Sequence, residues 1–154
     1  MCQFIAFWYR PDNGDIAVGN LTSHSDTQEK LGLKEPLWCE GHYLPDDTVN
    51  CCTVESSRQT PQECIARIKR KYPTFYDFLN YCLTQPLSGS LDLRGCDLSK
   101  VKAWPQTIGG WLDLRGCDLS KVKAWPQLIG GSLDLRGCDL SKVKSLKLPQ
   151  PIGG

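Results

Sequence analysis

The chain has 154 residues, of which 40% are hydrophobic and 23% are charged. This composition supports a folded core in one body or two small units, and it argues against an intrinsically disordered chain. The formal net charge of +1 gives no reason to expect nucleic acid or an anionic membrane as an obligatory partner.

Residues 1–86 predict a small α+β capping unit built from two β-hairpins and three short helices. In each hairpin, two strand-like runs flank a turn-forming segment that contains Pro and Asp. The first hairpin spans residues 3–9 and 15–21 around the turn Pro11–Gly14. The second spans residues 38–43 and 48–54 around Pro45–Asp47.

Helix-capping signals place the three helices. Ser25-Asp-Thr-Gln28 has the form of a capping box, and Gly32 is a stop signal. Thr60-Pro-Gln-Glu63 is a stronger helix-start signal, because it combines an N-cap Thr with Pro at the first helical position and Glu at the third. The helix that it begins is predicted to end before Pro73. Thr74 opens a third helix, whose apolar stripe at helical spacing predicts either a cap on the following repeat or the core of the leading unit. The stripe consists of Phe75, Phe78, Leu79, Cys82 and Leu83.

The nine cysteines bear on the compartment. Their number is odd, and residues 1–9 lack the basic start, long apolar run and small-residue cleavage site of a secretory signal. Three of them recur at one repeat position, which packing explains better than disulfide pairing. We therefore expect a reduced, cytoplasmic protein. No stretch reaches the roughly 20 apolar residues that a membrane-spanning helix needs.

A cluster of potential ligands in the leading unit suggests an alternative function. Cys39, His42, Cys51 and Cys52 lie within fourteen residues and could form a zinc site, or Cys51 and His42 a nucleophilic pair. The spacing is poor for one metal, because adjacent cysteines rarely both point at it. No phosphate-binding glycine loop or dinucleotide fingerprint is present. We therefore expect no cofactor, no metal and no enzymatic activity.

Residues 87–154 are repetitive. The segment 91–106 recurs unchanged as 112–127, and its first twelve residues recur again as 133–144, with an offset of 21 each time. The charge balance also changes near residue 87, from 8 basic and 11 acidic residues before residue 88 to 10 basic and 6 acidic residues after residue 87. A repeat period in the twenties indicates a solenoid.

The spacing within one unit predicts a strand followed by a turn. Leu112 and Leu114 alternate with Asp113 and Arg115, so leucines face inward and charges face outward. Gly116 then permits the chain to turn. Cys117, Leu119, Val122 and Trp125 return apolar groups to the core.

Leu112, Leu114, Cys117 and Leu119 resemble the L-x-L-x-x-(N/C)-x-L core of the leucine-rich repeat, most closely the glycine-glycine-ended arrays of bacterial and phage proteins. The resemblance covers residues 87–154 and implies a three-unit leucine-rich-repeat-like solenoid with a parallel sheet. The chain departs from the family in placing Cys at every Asn position and in lacking a recognisable C-terminal cap. A right-handed parallel β-helix is the competing architecture. No family is recognised for residues 1–86.

Stacked units predict a partner-binding face. The aspartates would form one column and the arginines another, either neutralising each other or offering guanidinium groups to a partner's carboxylates. Trp111 replaces the Ser of positions 90 and 132, and Trp and Arg are favoured at binding hot spots. The predicted partner-binding residues are Asp92, Arg94, Trp111, Asp113, Arg115, Asp134 and Arg136.

The expected function is a non-enzymatic protein-binding module, a regulator or inhibitor that docks this face on a partner protein. The resemblance and the small size suggest a phage-type inhibitor of a host defence system. Nucleic acid is not favoured, because aspartates are interleaved with the lysines and no aromatic stacking platform is present. The alternative is a self-associating structural repeat protein, a homodimer through an open C-terminal end at Leu146, Leu148 and Ile152.

Overall fold

The computed structural model describes residues 5–33, 37–51, 60–122, 125–139 and 150–151. Within these ranges the fold is mixed α/β, with three α-helices and both antiparallel and parallel sheets. The chain divides into two compact units, Met1–Leu79 and Asn80–Gly154. The division falls within the third helix, whereas the sequence predicted it after residue 86.

The first unit contains a four-stranded antiparallel sheet with the strand order β2-β1-β3-β4. All five residues of β1 are buried, because this strand lies in the interior of the sheet. The two predicted hairpins are therefore present, with β1 paired to β2 and β3 paired to β4. The strands are β1 (Ile5–Tyr9), β2 (Ile16–Ala17), β3 (Cys39–Tyr43) and β4 (Val49–Cys51).

The first helix, α1 (His24–Leu31), starts two residues earlier than its sequence signal indicated. Ser23 is the N-cap, and its hydroxyl accepts from the backbone N–H of Asp26 at 3.2 Å, so the predicted start at Ser25 was wrong. The predicted stop is correct, since Gly32 closes the helix in the left-handed conformation at φ 64°.

The other two helices begin where their caps were predicted. For α2 (Pro61–Lys71), the Thr60 hydroxyl accepts from the Glu63 N–H at 3.2 Å. For α3 (Phe75–Cys82), Thr74 and Asp77 bond to each other's backbone N–H, which is a reciprocal capping box.

Both faces of β1 are covered within the first unit. On one face, Trp8 Nε1 donates to the His24 carbonyl oxygen at 2.9 Å. On the other, the ring of Phe7 meets that of Phe78 with centroids 5.0 Å apart. Phe7 also fills the space over Gly41, where a Cβ would overlap its ring.

The second unit contains two three-stranded parallel sheets, to which the repeats contribute strands in register. In one sheet, Leu91 pairs with Leu112 and Leu112 pairs with Leu133, so the alignment predicted from the repeat is confirmed. In the other, Ile108 pairs with Ile129, and Leu87 forms an isolated parallel bridge to Ile108. The first sheet comprises β5 (Leu91–Asp92), β7 (Leu112–Asp113) and β9 (Leu133–Asp134), and the second β6 (Thr107–Ile108), β8 (Leu128–Ile129) and β10 (Gln150–Pro151).

Each leucine strand is followed by a turn glycine, and in the first two units a short 3₁₀ segment comes next. Gly116 has φ 72°, and its counterparts in the other two units are also positive. Asp118 then caps Leu119–Lys121, accepting from the Ser120 N–H at 3.0 Å. The turn predicted at Gly116 is thus confirmed.

The repeated cysteines link successive units through weak hydrogen bonds. The Cys117 thiol donates to the Leu93 carbonyl oxygen at 3.0 Å, and the Cys138 thiol donates to that of Leu114 at 3.0 Å. Burial, which is the largest influence, raises the pKa of Cys117, so this thiol stays protonated and able to donate. The expected packing role of these cysteines is consistent with this geometry.

Two tryptophans that the sequence assigned to the core are half-buried instead. Trp104 and Trp125 stack with ring centroids 6.4 Å apart and an interplanar angle of 19°. The assignment failed because stacking between successive units removes one ring face from water without placing the residue in the interior.

The last turn of α3 is tied to the first repeat inside the second unit. The Asn80 side chain donates to the Lys100 carbonyl oxygen and accepts from the Lys102 N–H, both at 2.8 Å. Cys82 and Leu83 are fully or almost fully buried. These contacts favour the cap interpretation for the second half of the α3 stripe. Within the described ranges, none of the helices has the length and apolar character needed to cross a bilayer.

Candidate functional site

The charged columns predicted from the repeat lie on the outer side of the sheet β5-β7-β9. Strand alternation puts Leu112 and Leu114 in the core, where both are fully buried. The same alternation directs Trp111, Asp113 and Arg115 to the opposite side. We call this side the outer face, and it comprises Asp92, Arg94, Trp111, Asp113, Arg115, Asp134 and Arg136.

Each arginine of the outer face is bound by the aspartate two residues before it. Arg115 Nη2 donates to Asp113 Oδ2 at 2.7 Å, and its Nε donates to Asp113 Oδ1 at 3.0 Å. The first and third units repeat this two-point contact, with Nη2–Oδ2 distances of 2.8 and 2.6 Å. Two-point contacts of this kind fix the plane of the guanidinium group.

A second set of ion pairs links neighbouring strands. Arg94 Nε lies 3.5 Å from Asp113 Oδ2, and Arg115 Nε lies 3.4 Å from Asp134 Oδ2. Each arginine of the first two units thus contacts an aspartate on its own strand and another on the next strand. This arrangement offsets the repulsion that columns of like charge would otherwise suffer.

The exposure of the arginines rises along the array. The side chain of Arg94 is 19% exposed, that of Arg115 is 36% exposed and that of Arg136 is 75% exposed. Asp113, in the middle of the network, is 6% exposed. The arginine of the outer face is therefore least accessible to solvent in the first unit and most accessible in the third.

Hydrogen bonding favours the charged forms of the three arginines and of Asp134. The bonds to the aspartates raise the pKa of all three arginines above its usual value. The hydrogen bond from Arg136 lowers the pKa of Asp134 to about 2. These four groups therefore remain ionised throughout the physiological pH range.

Trp111 is an exposed aromatic residue at the start of β7. It is 42% exposed, and its backbone N–H donates to Ser90 Oγ at 3.0 Å. Ser90 occupies the same repeat position in the preceding unit, so the smaller residue supports the backbone while the larger one projects from the face. This role of Ser90 was not predicted, although the Ser–Trp–Ser variation at one repeat position was its signal.

The structure separates the residues of the suggested zinc site. Cys39 and Cys51 lie on one side of the antiparallel sheet, where their sulfur atoms are 3.6 Å apart. His42 is on the opposite side of β3, because strand alternation places it one residue out of phase with both cysteines. Neither the zinc set nor the Cys51–His42 pair is thereby brought together, and Cys52 lies outside the described residues. No group of three or more potential metal ligands occurs in the part of the chain that the structure describes.

His42 instead meets the other histidine of the chain. Its ring lies 4.5 Å, centroid to centroid, from that of His24 in an edge-to-face arrangement. His24 Nε2 is 2.8 Å from the Gly41 carbonyl oxygen, and its Nδ1 is 4.0 Å from Glu40. Burial, and secondarily the charge of His24, lower the pKa of His42.

A cavity of about 300 Å³ in the first unit was not anticipated. Three basic residues of α2, Arg67, Arg70 and Lys71, line this cavity. Their i, i+3, i+4 spacing was the available signal. The spacing could not reveal that the predicted turn at Gly14 lies opposite them.

The residues proposed for self-association, Leu146, Leu148 and Ile152, lie outside the described residues. The chain matches no protein-family model, no curated protein and no solved structure. The resemblance of residues 87–154 to the leucine-rich repeat therefore stays a prediction carried by the repeat residues.

Proposed function

We propose that the second unit is a short leucine-rich-repeat-like solenoid and that the protein is a non-enzymatic binding module that docks its outer face on a partner protein. The support for the architecture is the in-register pairing of Leu91, Leu112 and Leu133, one repeat apart each time. Such stacking produces a regular surface of the kind that repeat proteins use for binding.

The exposure of Trp111 is the observation that carries the docking proposal. A large aromatic side chain 42% exposed to water gains free energy when a partner covers it. It shares its side of the sheet with Asp113 and Arg115, and Trp and Arg are the residue types enriched at binding hot spots. The repeat itself does not need Trp here, because Ser occupies positions 90 and 132.

The arginines can bind a partner without leaving their aspartates. The contacts of Arg115 and Arg136 use Nε and Nη2, and their Nη1 groups make no hydrogen bond to a described residue. A guanidinium has five N–H donors, so the edge formed by Nη1 and Nη2 remains available to a carboxylate. We infer that the partner presents acidic groups beside an apolar pocket for Trp111.

A regulator or inhibitor is the use that we propose for this module. The resemblance to phage and bacterial repeat arrays suggests an inhibitor of a host defence system in a reducing, cytoplasmic setting. This part of the proposal rests on the resemblance alone.

Affinity capture from a bacterial lysate, quantified by mass spectrometry, tests the docking face. Trp111→Ser installs the residue that the repeat has at positions 90 and 132, so the fold should be retained. We expect wild type to capture a partner that this variant loses. Leu37→Ser is the matched control, because Leu37 is an exposed apolar residue of the first unit, 48% exposed. Equal capture by wild type and Trp111→Ser would refute the proposed face.

Self-association is the second candidate, favoured by exposure in the third unit. Leu133 and Leu135 are half-buried, whereas their counterparts Leu112 and Leu114 are fully buried. Partly uncovered leucines at one end of a stack could be covered by a second copy. Light scattering decides between the candidates, since a monomer at high concentration would eliminate the homodimer.

A further inference from the structure

The cavity in the first unit lies between α2 and the β1–β2 hairpin and has a basic lining. Arg67, Arg70 and Lys71 supply three positive charges, and none of the described residues that line the cavity carries a carboxylate. Its volume of about 300 Å³ is at the lower end of the range of small-molecule sites.

Arg67 is fixed in place by the hairpin turn. Its Nη1 donates to the Pro11 carbonyl oxygen at 3.4 Å, and its Nη2 donates to that of Asn13 at 3.3 Å. Gly14 permits this approach, since a Cβ at that position would lie 2.9 Å from Arg67 Cζ. Gly14 also has φ 80°, which disfavours any other residue. The turn thus holds one cation at the edge of the cavity before a ligand arrives.

The hydroxyl group of Tyr9 is the second observation that points to a ligand. Tyr9 lines the cavity and is 1% exposed, and its buried Oη makes no hydrogen bond to a described residue, although Arg67 is near enough to lower its pKa. Buried polar atoms nearly always have a partner, so an unsatisfied one needs an explanation. Burial raises the pKa of Tyr9 more than Arg67 lowers it, and the hydroxyl is therefore a neutral donor at physiological pH.

Two cationic groups of the cavity are not committed to carboxylates. Arg70 makes no ion pair with any described residue, and Lys71 Nζ lies 5.7 Å from the centroid of the Tyr72 ring. Basic residues also stabilise the carboxyl end of a helix through its dipole, which would explain their presence without a ligand. That explanation does not account for the buried Tyr9 hydroxyl or for the position of Arg67 at the turn.

We propose that this cavity binds a small organic phosphate. Three cations are more than a single carboxylate would neutralise, whereas a phosphate monoester carries a charge of about −1.5 to −2 at pH 7 and offers three acceptor oxygens. The phosphate lies between the basic side chains and the Tyr9 hydroxyl. Its organic part contacts Ile16 and Ile68, the apolar part of the lining. This site is independent of the outer face of the second unit.

Titration of the full-length protein by NMR, with glycerol 3-phosphate, ribose 5-phosphate and AMP as probes, tests the proposal. We expect saturable shifts at Ile16, Ile68 and Arg70, with a Kd below about 1 mM for at least one probe. Inorganic phosphate should bind at least tenfold more weakly than that probe, because it lacks the organic part. Glycerate, which carries a carboxylate in place of the phosphate, should also bind more weakly than glycerol 3-phosphate. Failure of all three organic phosphates, or equal binding of glycerate, would overturn the proposal.

Two variants distinguish binding in the cavity from nonspecific attraction of phosphate to the basic residues of α2. Arg70→Ala should weaken binding about tenfold or more, the usual effect of losing a charge-assisted hydrogen bond. Lys69→Ala removes the same charge from the same helical turn but not from the cavity, so its affinity should match wild type. Equal weakening by both variants would contradict the site.

Tyr9→Phe separates loss of ligand binding from loss of folding, because its affinity and its melting temperature are expected to respond differently. The variant removes the unpartnered hydroxyl, so the free protein should melt at the same temperature or higher, while the affinity for the organic phosphate falls severalfold. A lower melting temperature with unchanged affinity would show that the hydroxyl serves the fold and not a ligand.

Discussion

Asp113 is nearly inaccessible to water, although it lies on the outer side of a sheet, and Arg115 covers it. Arg115 Nη2 donates a hydrogen bond to Asp113 Oδ2 at a distance of 2.7 Å, and the Asp113 side chain is 6% exposed. Asp113 also lies 3.5 Å from Arg94 of the preceding strand. Asp134 likewise has arginines on two strands, but it is 25% exposed, so identical repeat units give these two aspartates different burial.

We predict that Asp113→Ala destabilises the protein more than the same change at Asp134. Removing Asp113 deprives both Arg94 and Arg115 of a partner in a part-buried setting, at a cost of roughly 2 kcal/mol. Asp134 is 25% exposed, so its removal should cost less. Urea denaturation followed by tryptophan fluorescence measures both. Equal losses would show that position within the array is irrelevant.

We predict that Asp134 contributes stability that is lost in acid. Its pKa is about 2 in the folded protein, mainly because of the hydrogen bond from Arg136, against an ordinary value of 3.8. The folded-state pKa is the lower one, so the contribution is fully present above pH 3.8 and disappears as the pH falls towards 2. The melting temperatures of wild type and Asp134→Asn should therefore differ at pH 5 and converge near pH 2. A constant difference over this interval would exclude the linkage.

The geometry of the repeat could be predicted from its sequence, because it depends on strand alternation within one unit and on the fixed spacing between units. Alternating Leu and charged residues determine which side of the sheet is buried, and a fixed period of 21 sets the register at Leu112. The sequence also predicted the helix N-cap at Thr60 correctly, because Thr60 and Glu63 of the first turn together form the expected capping pattern. The cap at Ser23 was missed because a second capping pattern at Ser25 begins two residues later.

What the sequence could not reveal are relationships between distant segments. The Arg67–Asn13 contact joins residues 54 apart, and the edge-to-face contact of His24 with His42 joins a helix to a strand. Neither follows from spacing. The predicted zinc site was wrong for a related reason. Residues that are close in the sequence can face opposite sides of a sheet, and this is known only once they are assigned to the same strand. Once β3 runs from Cys39 to Tyr43, alternation separates Cys39 from His42.

We predict that Gly130→Ala disrupts the stacking of the second unit more than Gly95→Ala does. A Cβ at Gly130 would overlap the carbonyl oxygen of Gly109, a backbone atom that no side-chain rotation can move away. We expect a loss of about 3 kcal/mol, at the upper end of the range for overpacking. A Cβ at Gly95 would have no atom of a described residue within 4 Å apart from its chain neighbours, and the positive φ of 70° should cost about 1–2 kcal/mol. Chemical denaturation of both variants checks the ranking, and the reverse order would contradict the observed close approach.

We predict that the first unit loses stability as the pH falls below neutrality, because of His42. Burial is the main cause that lowers the pKa of His42, and the charge of His24 on α1 lowers it further, while Glu40 on its own strand raises it. Its strand partners, Ala6 and Asn50, carry no charge. The folded-state pKa is below the ordinary 6.5, so the unfolded chain takes up the proton first. Stability is then fully present above pH 6.5 and falls as the pH drops towards the folded-state value.

The variant series for this prediction separates burial from charge. NMR titration of the His42 ring should give a pKa below 6.5 in wild type and a higher value in His24→Asn, which removes the second charge. His42→Gln should make thermal stability less dependent on pH between 7 and 5. Asn50→Asp serves as a sign control, since a carboxylate on the paired residue of β4 should raise the pKa of His42. A His42 pKa at or above 6.5 in wild type would contradict the account, because protonation would then stabilise the folded state.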